Sequence, residues 1–172
     1  MSNNTISISS SGFDSRDFRN ALGHFATGVT VVTGCTESGE KFGVTINSFN
    51  SVSLEPPLVL WSLDRNASTF EKFADAKHFC VHLLAEDQLE LSNLFASVSD
   101  NKFDNLETAS GIADIPLIEG CAACFQCRTH AVYEGGDHQI FIGEVLAFDD
   151  TDKAGLMFYK GNYAVSSPHP DI

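Results

Sequence analysis

Residues 43–57 read GVTINSFNSVSLEPP and join two predicted strands. The run from Phe42 to Phe49 predicts the first strand. Pro56 and Pro57 stop any helix before the apolar run from Leu58 to Leu63, which is short enough for a buried strand. Between the two strands, closely spaced amides and hydroxyls suit either a polar edge strand with turns or a wall that hydrogen-bonds a planar heterocycle. Local chemistry alone favours the edge strand.

Strand signals recur on both sides of this segment and cluster as hairpins. Residues 28–36 (GVTVVTGCT) are β-branched and lead through the polar turn 37–40 into the strand from Phe42. Further strands are expected at 79–84, 121–133 and 138–148, the last two joined by a turn with Gly135 and Gly136, since glycine supplies the positive φ of tight turns. The regular βαβ alternation of a doubly wound sheet is missing. The pattern therefore predicts a closed antiparallel β-barrel with peripheral helices.

Short amphipathic helices are predicted around this barrel. Phe18, Leu22 and Phe25 recur at helical spacing after the caps Asp14 and Ser15, so we expect the first helix to pack by its Phe face. The other two are expected over residues 67–74, with Phe70 and Phe73 on one side, and around Leu91, Leu94, Phe95 and Val98, behind an acidic first turn at Glu86 and Asp87. Residues 99–120 have weak periodicity and predict a long surface connection that acts as a lid or a dimer arm.

Composition limits the classes of function. The 172 residues fit one domain, expected at 13–172 behind a disordered tail at 1–12, and no apolar run approaches a membrane span. A net charge of −13 disfavours nucleic-acid and membrane partners. Five cysteines, an odd number, and a start without a secretory signal predict a cytoplasmic protein with reduced thiols.

Two clusters carry candidate chemistry. Residues 64–69 (DRNAST) lie where a strand ends and a helix begins, so N–H groups, hydroxyls and the Arg65 guanidinium could hold a phosphate. The alternative is an ordinary capping box of Ser68 with Glu71. Cys121, Cys124 and Cys127 have thiolate-ligand spacing, but on a strand Cys124 would face away from the other two. Buried reduced cysteines are favoured over a metal site, and no metal is predicted.

Three stretches together resemble the flavin reductase-like family, the small reductase components of two-component flavin monooxygenases. They are FATGVTVVT at 25–33, GVTINSF at 43–49 and SVSLEPPLV at 51–59. The resemblance continues through 65–69, 100–103, Gly136-Asp137-His138, 143–145 and 159–163, and so covers nearly everything after the tail. Val44 stands where a bulkier Met is frequent in the family, and Asn66-Ala67 departs from the common phosphate turn.

The resemblance implies a mainly β fold, an antiparallel split β-barrel of the FMN-binding type. It further implies a homodimer that binds FMN or FAD at the subunit interface and oxidises NADH or NADPH. By the same resemblance, His138 would be catalytic and lie at the nicotinamide, and Tyr159 and Tyr163 would cover the ring. The residues that would line the flavin are Thr27, Gly28, Val29, Thr45, Ile46, Asn47, Ser48, Phe49, Ser51, Val52, Ser53, Arg65, Asn66, Ser68, Thr69, Phe103, His138 and Tyr159.

The implied activity is hydride transfer from NAD(P)H to flavin, which is then supplied to a partner monooxygenase. In such a reaction the cofactors carry the chemistry while the protein orients them, so no nucleophile or paired acid and base is required. The first alternative is a non-enzymatic flavin-binding or electron-carrier module on the same barrel. A cysteine-based metal protein is the second. The choices between FMN and FAD, and between NADH and NADPH, stay open.

Overall fold

The computed structural model describes residue 12, residues 14–99, residues 101–169 and residue 171. All of the predicted tail except Gly12 therefore lies outside the described residues. Three α-helices are present in the described part: α1 (Ser15–Leu22), α2 (Phe70–Asp75) and α3 (Leu89–Ala96). None of these helices is long and apolar enough to cross a membrane.

Twelve strands make up the rest of the described regular structure, together with a short 3-10 turn at Ile112–Asp114. The strands are β1 (Thr27–Gly28), β2 (Thr30–Cys35), β3 (Lys41–Ile46), β4 (Asn50–Leu54), β5 (Pro57–Asp64), β6 (His78–Leu83), β7 (Thr108–Ser110), β8 (Pro116–Ile118), β9 (Ala123–Gly135), β10 (His138–Asp150), β11 (Leu156–Tyr159) and β12 (Asn162–Val165). A seven-stranded antiparallel sheet has the order β3-β2-β6-β9-β10-β5-β4, beside a smaller sheet β1-β11-β12 and the pair β7-β8. The predicted antiparallel β fold with peripheral helices is confirmed.

The predicted hairpins are confirmed in register. β2 pairs with β3 around the turn at 36–40, and β9 pairs with β10 over their whole length. His138 opposes Gly135, so the second hairpin closes on two residues, of which only Gly136 has a positive φ (74°). That combination is typical of a type II′ turn, whose twist matches the flanking strands.

Two apolar clusters lie on opposite faces of the central strands. One is aromatic: Trp61 stacks on Phe141 at a ring-centroid distance of 4.5 Å and meets Phe73 edge-on at 4.9 Å. The other holds Val29, Val31, Leu84 and Phe95. Strand β2 contributes Val32 to the aromatic cluster and Val31 to the other, so it is buried on both faces.

Four sequence-based expectations about these elements were wrong or need adjustment. The helix α1 forms behind the Asp14 cap, but it has no buried residue, so the expected burial of its Phe face is not observed. Val98, expected on the apolar face of α3, lies beyond the helix and is 88% exposed. The acidic residue in the first turn of α3 is Glu90 and not Glu86 or Asp87. Segment 99–120 is not a free connection, because β8 and the adjoining Ile115 are inserted against the core.

The cysteines also differ from the prediction in one respect. Cys121 precedes β9, so it packs in the second cluster while Cys127 packs in the aromatic one, and the two do not share a face. Cys124 does face away from Cys127, as expected for residues three apart on a strand. The five thiols are free, and within the described residues no group of three or more His, Cys, Asp and Glu side chains is arranged to hold a metal ion.

Candidate functional site

A cavity of about 220 Å³ lies between β3, α3 and the small C-terminal sheet. Its lining residues are Val29, Thr45, Ile46, Asn47, Ser92, Phe158 and Tyr163. Four of these, from Val29 and from the end of β3, are among the predicted flavin residues. Thr27 lies next to the cavity, since it is the register partner of Phe158. The sequence did not single out Ser92 or Phe158, which reach the cavity from elements distant along the chain.

The polar groups around this cavity are held by short bonds. The Thr45 hydroxyl donates to the Ser92 carbonyl at 2.7 Å, and the Thr30 hydroxyl donates to the Ile46 carbonyl at 3.1 Å. The Tyr163 hydroxyl lies 2.9 Å from the Ser92 hydroxyl and donates to Asn93 at 3.0 Å. These bonds tie the wall of the cavity to α3 and β12. Of the two predicted tyrosines, Tyr163 lines the cavity in the single chain and Tyr159 does not.

Tyr159 and β4 lie away from this cavity in the single chain. Tyr159 is exposed, with the Lys160 ammonium 5.3 Å from its ring centroid. Ser51 and Val52 are exposed on the edge strand β4, and the register slips between Ser51 and Ser53. The Ser53 hydroxyl accepts from the Glu55 amide. Gly28 is exposed, and a Cβ placed there would meet nothing within 4 Å.

The second part of the predicted site is organised by the end of β5. The Ser48 hydroxyl bonds the backbone of Ser62, and Asp64 is the register partner of His138. Phe49 stacks on Phe125 with ring centroids 5.7 Å apart. Ser62 and Asp64 lie two residues apart on β5. This strand therefore holds both the segment 47–49 and His138 in place.

His138 is partly exposed and its Nδ1 lies 2.8 Å from the Asp137 carboxylate. Hydrogen bonding by His138 holds the pKa of Asp137 below its usual value. The Asp137 carbonyl in turn accepts from the Arg65 amide at 3.0 Å. The Arg65 guanidinium pairs with Glu134 at 3.2 Å. This arrangement joins the β9–β10 turn to the loop after β5 and orients the imidazole.

The alternative for loop 65–69, a capping box of Ser68 with Glu71, is not present. Thr69, not Ser68, precedes α2, and no side chain caps the helix. Asn66 bonds back to Asp64 through both its backbone amide and its side chain. Ser68 and Thr69 line a small polar recess together with Gly43, Lys102 and Phe103, among other residues.

Lys102 also lines this recess, and the sequence did not single it out. It is only 7% exposed, and its ammonium donates to the carbonyls of Phe95 (2.9 Å) and Gly43 (3.3 Å). Phe103, its neighbour, packs edge-on against Phe95 at 5.2 Å. The recess therefore holds a buried cation beside the hydroxyls of Ser68 and Thr69.

Buried polar atoms without a partner test whether these residues fit a bound cofactor. Among the described residues, four buried side-chain atoms have no hydrogen-bond partner: Thr27 Oγ1, Trp61 Nε1, Thr69 Oγ1 and Gln139 Oε1. Such groups are costly unless a ligand or water satisfies them. Two of the four belong to predicted flavin residues, one beside the cavity and one in the recess. The residues present fit a polar, phosphate-bearing ring cofactor.

These features belong to an antiparallel split barrel with a ligand-sized cavity, and comparison with known proteins identifies its family. The family model described as "Flavin reductase like domain" matches residues 22–167. The chain belongs to this family. It is 46% identical to the FMN reductase (NADH) SmoA of Agrobacterium fabrum, covering 88% of this chain and 86% of that protein.

Two further comparisons have different coverage. The chain is 47% identical to the reductase component of a flavin-dependent trigonelline monooxygenase of Acinetobacter baylyi, over 86% of this chain but only 48% of that protein. It thus spans about half the length of that relative. The solved NADH:FAD oxidoreductase SgcE6 of Streptomyces globisporus, in complex with NAD and FAD fragments, superposes with a TM-score of 0.86 at 38% identity, covering 92% of this chain and 96% of that one.

Proposed function

We propose that this chain is an NAD(P)H:flavin oxidoreductase that reduces FMN or FAD and supplies reduced flavin to a separate monooxygenase. The observation that carries the proposal is the cavity along the end of β3, where Val29, Thr45, Ile46 and Asn47 meet. The names of the Agrobacterium, Acinetobacter and Streptomyces relatives support the same activity.

The residues that would hold the flavin divide into two groups. Thr27, Val29 and the end of β3 would contact the ring system, with Tyr163 covering it. The recess lined by Ser68, Thr69 and Lys102 would hold the phosphate, because an ammonium and two hydroxyls are suitable donors to anionic oxygens. The Thr27 and Thr69 hydroxyls would gain the partners that they lack in the chain alone.

A bound flavin supplies the chemistry by accepting a hydride from NAD(P)H. The chain's contribution is position and electrostatics, and His138 is the residue suited to it. Its Nδ1 is engaged by Asp137, so Nε2 is available to donate or accept a hydrogen bond at the nicotinamide. We assign His138 the role of orienting the nicotinamide or balancing charge in the flavin site.

The assembly and location are part of the proposal. A homodimer is supported by apolar side chains that are exposed on edge strand β4 and on the long hairpin, namely Val52, Leu54, Tyr133 and Phe148, with Leu54 96% exposed. We place the protein in the cytoplasm, where five free thiols stay reduced. Residues 13–172 form the flavin reductase-like domain in this proposal.

The test is anaerobic reduction of flavin by NADH or NADPH in the presence of the purified chain. Rapid bleaching of the FMN or FAD absorbance that depends on the protein is the expected result. A folded protein that binds flavin tightly but leaves it oxidised would identify an electron-carrier module instead. Absence of both binding and reduction would overturn the proposal.

A further inference from the structure

Ser92 of α3 bonds two walls of the 220 Å³ cavity at once. Its carbonyl accepts from the Thr45 hydroxyl of β3 at 2.7 Å, and its own hydroxyl lies 2.9 Å from that of Tyr163 on β12. These partners are 47 and 71 residues away along the chain. A single residue of α3 therefore fixes the positions of β3 and β12 at the cavity.

The direction of the bond between Ser92 and Tyr163 follows from the protons that the groups carry. A hydroxyl has one proton to donate, and a carboxamide oxygen can only accept. Tyr163 donates its proton to Asn93 Oδ1 at 3.0 Å. Ser92 is therefore the donor in its bond with Tyr163. The bonds run from Ser92 to Tyr163 to Asn93, and the proton of each hydroxyl is committed.

Tyr163 therefore meets a ligand in the cavity through its ring. Its hydroxyl donates to Asn93 and accepts from Ser92, while its ring packs edge-on against Phe158 at 5.6 Å. Phe158 lines the same cavity, together with the apolar side chains of Val29 and Ile46. This surface is suitable for a planar aromatic ligand. The orientation of the Tyr163 ring depends on the two bonds at its hydroxyl.

Burial distinguishes the two partners of the Tyr163 hydroxyl. Asn93 is exposed, so water can replace its bond if the side chain is removed. Ser92 is fully buried, so the loss of its hydroxyl is not compensated by solvent. Without that hydroxyl, Tyr163 is no longer held from the side of α3.

We propose that Ser92 is a positioning residue for flavin binding, which acts by holding the Tyr163 ring against the bound flavin. This inference rests on the proposed function and deepens it, because it names a residue that sets flavin affinity through another side chain. His138 belongs to the other part of the predicted site, paired with Asp64 at the end of β5. The effect of Ser92 should therefore be confined to flavin and should not extend to NADH.

The experiment compares Ser92→Ala with Tyr163→Phe and with the double variant. Ser92→Ala should weaken the binding of FMN and FAD about fivefold in a fluorescence titration, since one hydrogen bond is lost. Tyr163→Phe should weaken it at least as much. The double variant should bind flavin no more weakly than Tyr163→Phe, because the shared bond can be lost only once. In steady-state assays of Ser92→Ala, KM for flavin should rise by the same factor while KM for NADH stays the same.

Ser97→Ala is the matched control on the same helix. The Ser97 hydroxyl donates to the Leu94 carbonyl at 2.7 Å, at an exposed position outside the cavity. This variant should disturb the end of α3 without changing flavin affinity. A structural role of Ser92 alone would lower the free energy of urea unfolding and leave the flavin affinity of the folded protein unchanged.

The inference is overturned if folded Ser92→Ala binds flavin as tightly as the unaltered protein, or if the losses of the two single variants add. Tyr163→Phe keeps the test independent of α3, because unchanged flavin affinity in this variant also refutes the inference. Flavin that is bound but not reduced by the unaltered protein would overturn the proposed function alone, since the affinities still decide the role of Ser92. An unaltered protein that binds no flavin would overturn both.

Discussion

The Ser48 hydroxyl and the backbone of Ser62 exchange two hydrogen bonds: the hydroxyl donates to the carbonyl at 2.9 Å and accepts from the amide at 3.0 Å. Strand β4 pairs with β5 only as far as Leu60, so Ser48 takes the place of a missing strand partner at Ser62. One side chain thereby fixes the segment that follows β3 against β5. Ser48, a predicted flavin residue, thus holds the wall of the predicted site in place.

Replacing Ser48 with alanine should therefore affect both stability and flavin binding. The Ser62 amide and carbonyl lose their partner, which we expect to cost about 1–3 kcal/mol of unfolding free energy. Flavin affinity should fall because Asn47 and Phe49 lose their anchor. Urea unfolding and flavin titration measure the two effects. Ser51→Ala, at an exposed position on β4, should change neither stability nor fold. A Ser48→Ala protein with unchanged stability contradicts the anchoring role.

Thr69→Val should separate binding from stability. The Thr69 hydroxyl is buried without a partner, so an isosteric apolar side chain should leave the free energy of unfolding unchanged or raise it. Flavin affinity should fall about tenfold if this hydroxyl contacts the cofactor. Thr33→Val is the contrasting variant. Its hydroxyl donates to the Pro116 carbonyl at 2.8 Å, so it should lose about 1–2 kcal/mol of stability. Unaltered flavin affinity in Thr69→Val would remove Thr69 from the site.

His138 and its partner Asp137 give a kinetic prediction. His138→Asn should lower kcat/KM for NADH about 10–100-fold, because a positioned group at the nicotinamide is lost, while FMN affinity stays the same. Asp137→Asn should cause a smaller loss, since the imidazole remains but its charged partner is removed. Stopped-flow reduction at several NADH concentrations separates binding from the rate of transfer. Equal rates for His138→Asn and the unaltered protein would exclude the assigned role.

Local pattern was sufficient for most of the fold but for only part of the site. Strands β2, β3, β5 and β6 were predictable because β-branched and apolar runs are bounded by Gly, Pro and polar turns. The cavity was only half predictable, since Ser92 and Phe158 reach it through tertiary packing that leaves no local signal. Lys102 is similar, because a lysine in a polar segment gives no indication that it is buried.

The first helix shows a different limit of sequence analysis. Helical spacing of Phe18, Leu22 and Phe25 correctly predicts α1, but the burial that the same pattern predicts is not observed. All three side chains are exposed. Periodicity identifies an apolar face without identifying what covers it.

His82 predicts a pH dependence of stability. It is fully buried, Nδ1 lies 3.2 Å from the Val31 carbonyl, and Nε2 accepts from the Ile118 amide at 3.1 Å. Burial lowers the pKa of His82 to about 4, against 6.5 for an ordinary histidine. Between these values the unfolded chain takes up a proton and the folded chain does not. The contribution of neutral His82 to the free energy of unfolding is therefore complete above about pH 6.5, and it is lost as the pH falls towards 4.

The loss assigned to His82 is about 3 kcal/mol over this interval, an order-of-magnitude figure. Urea unfolding at intervals from pH 7 to pH 4 measures it. His82→Gln, which cannot titrate, should have a shallower pH dependence than the unaltered protein, whereas exposed His130→Gln should not. If His82→Gln and the unaltered protein had parallel pH profiles, the histidine would not be the group responsible.

Cys124 should be the most reactive of the five thiols. It lies on β9 near Cys80 of β6, and a hydrogen bond from the Cys80 thiol lowers the pKa of Cys124 to about 7. Burial raises the pKa of Cys121 to about 11 and that of Cys127 to about 12. Because the thiolate is the nucleophile and Cys124 is only partly buried, iodoacetamide at pH 7 should alkylate it first. Peptide mass spectrometry over time gives the order of alkylation.

Cys80→Ala removes the hydrogen-bond donor to Cys124, so it should raise the pKa of Cys124 and slow its alkylation at pH 7. Faster labelling of Cys121 or Cys127 in the folded protein, or an unchanged Cys124 rate in Cys80→Ala, would show that this hydrogen bond does not control thiol reactivity.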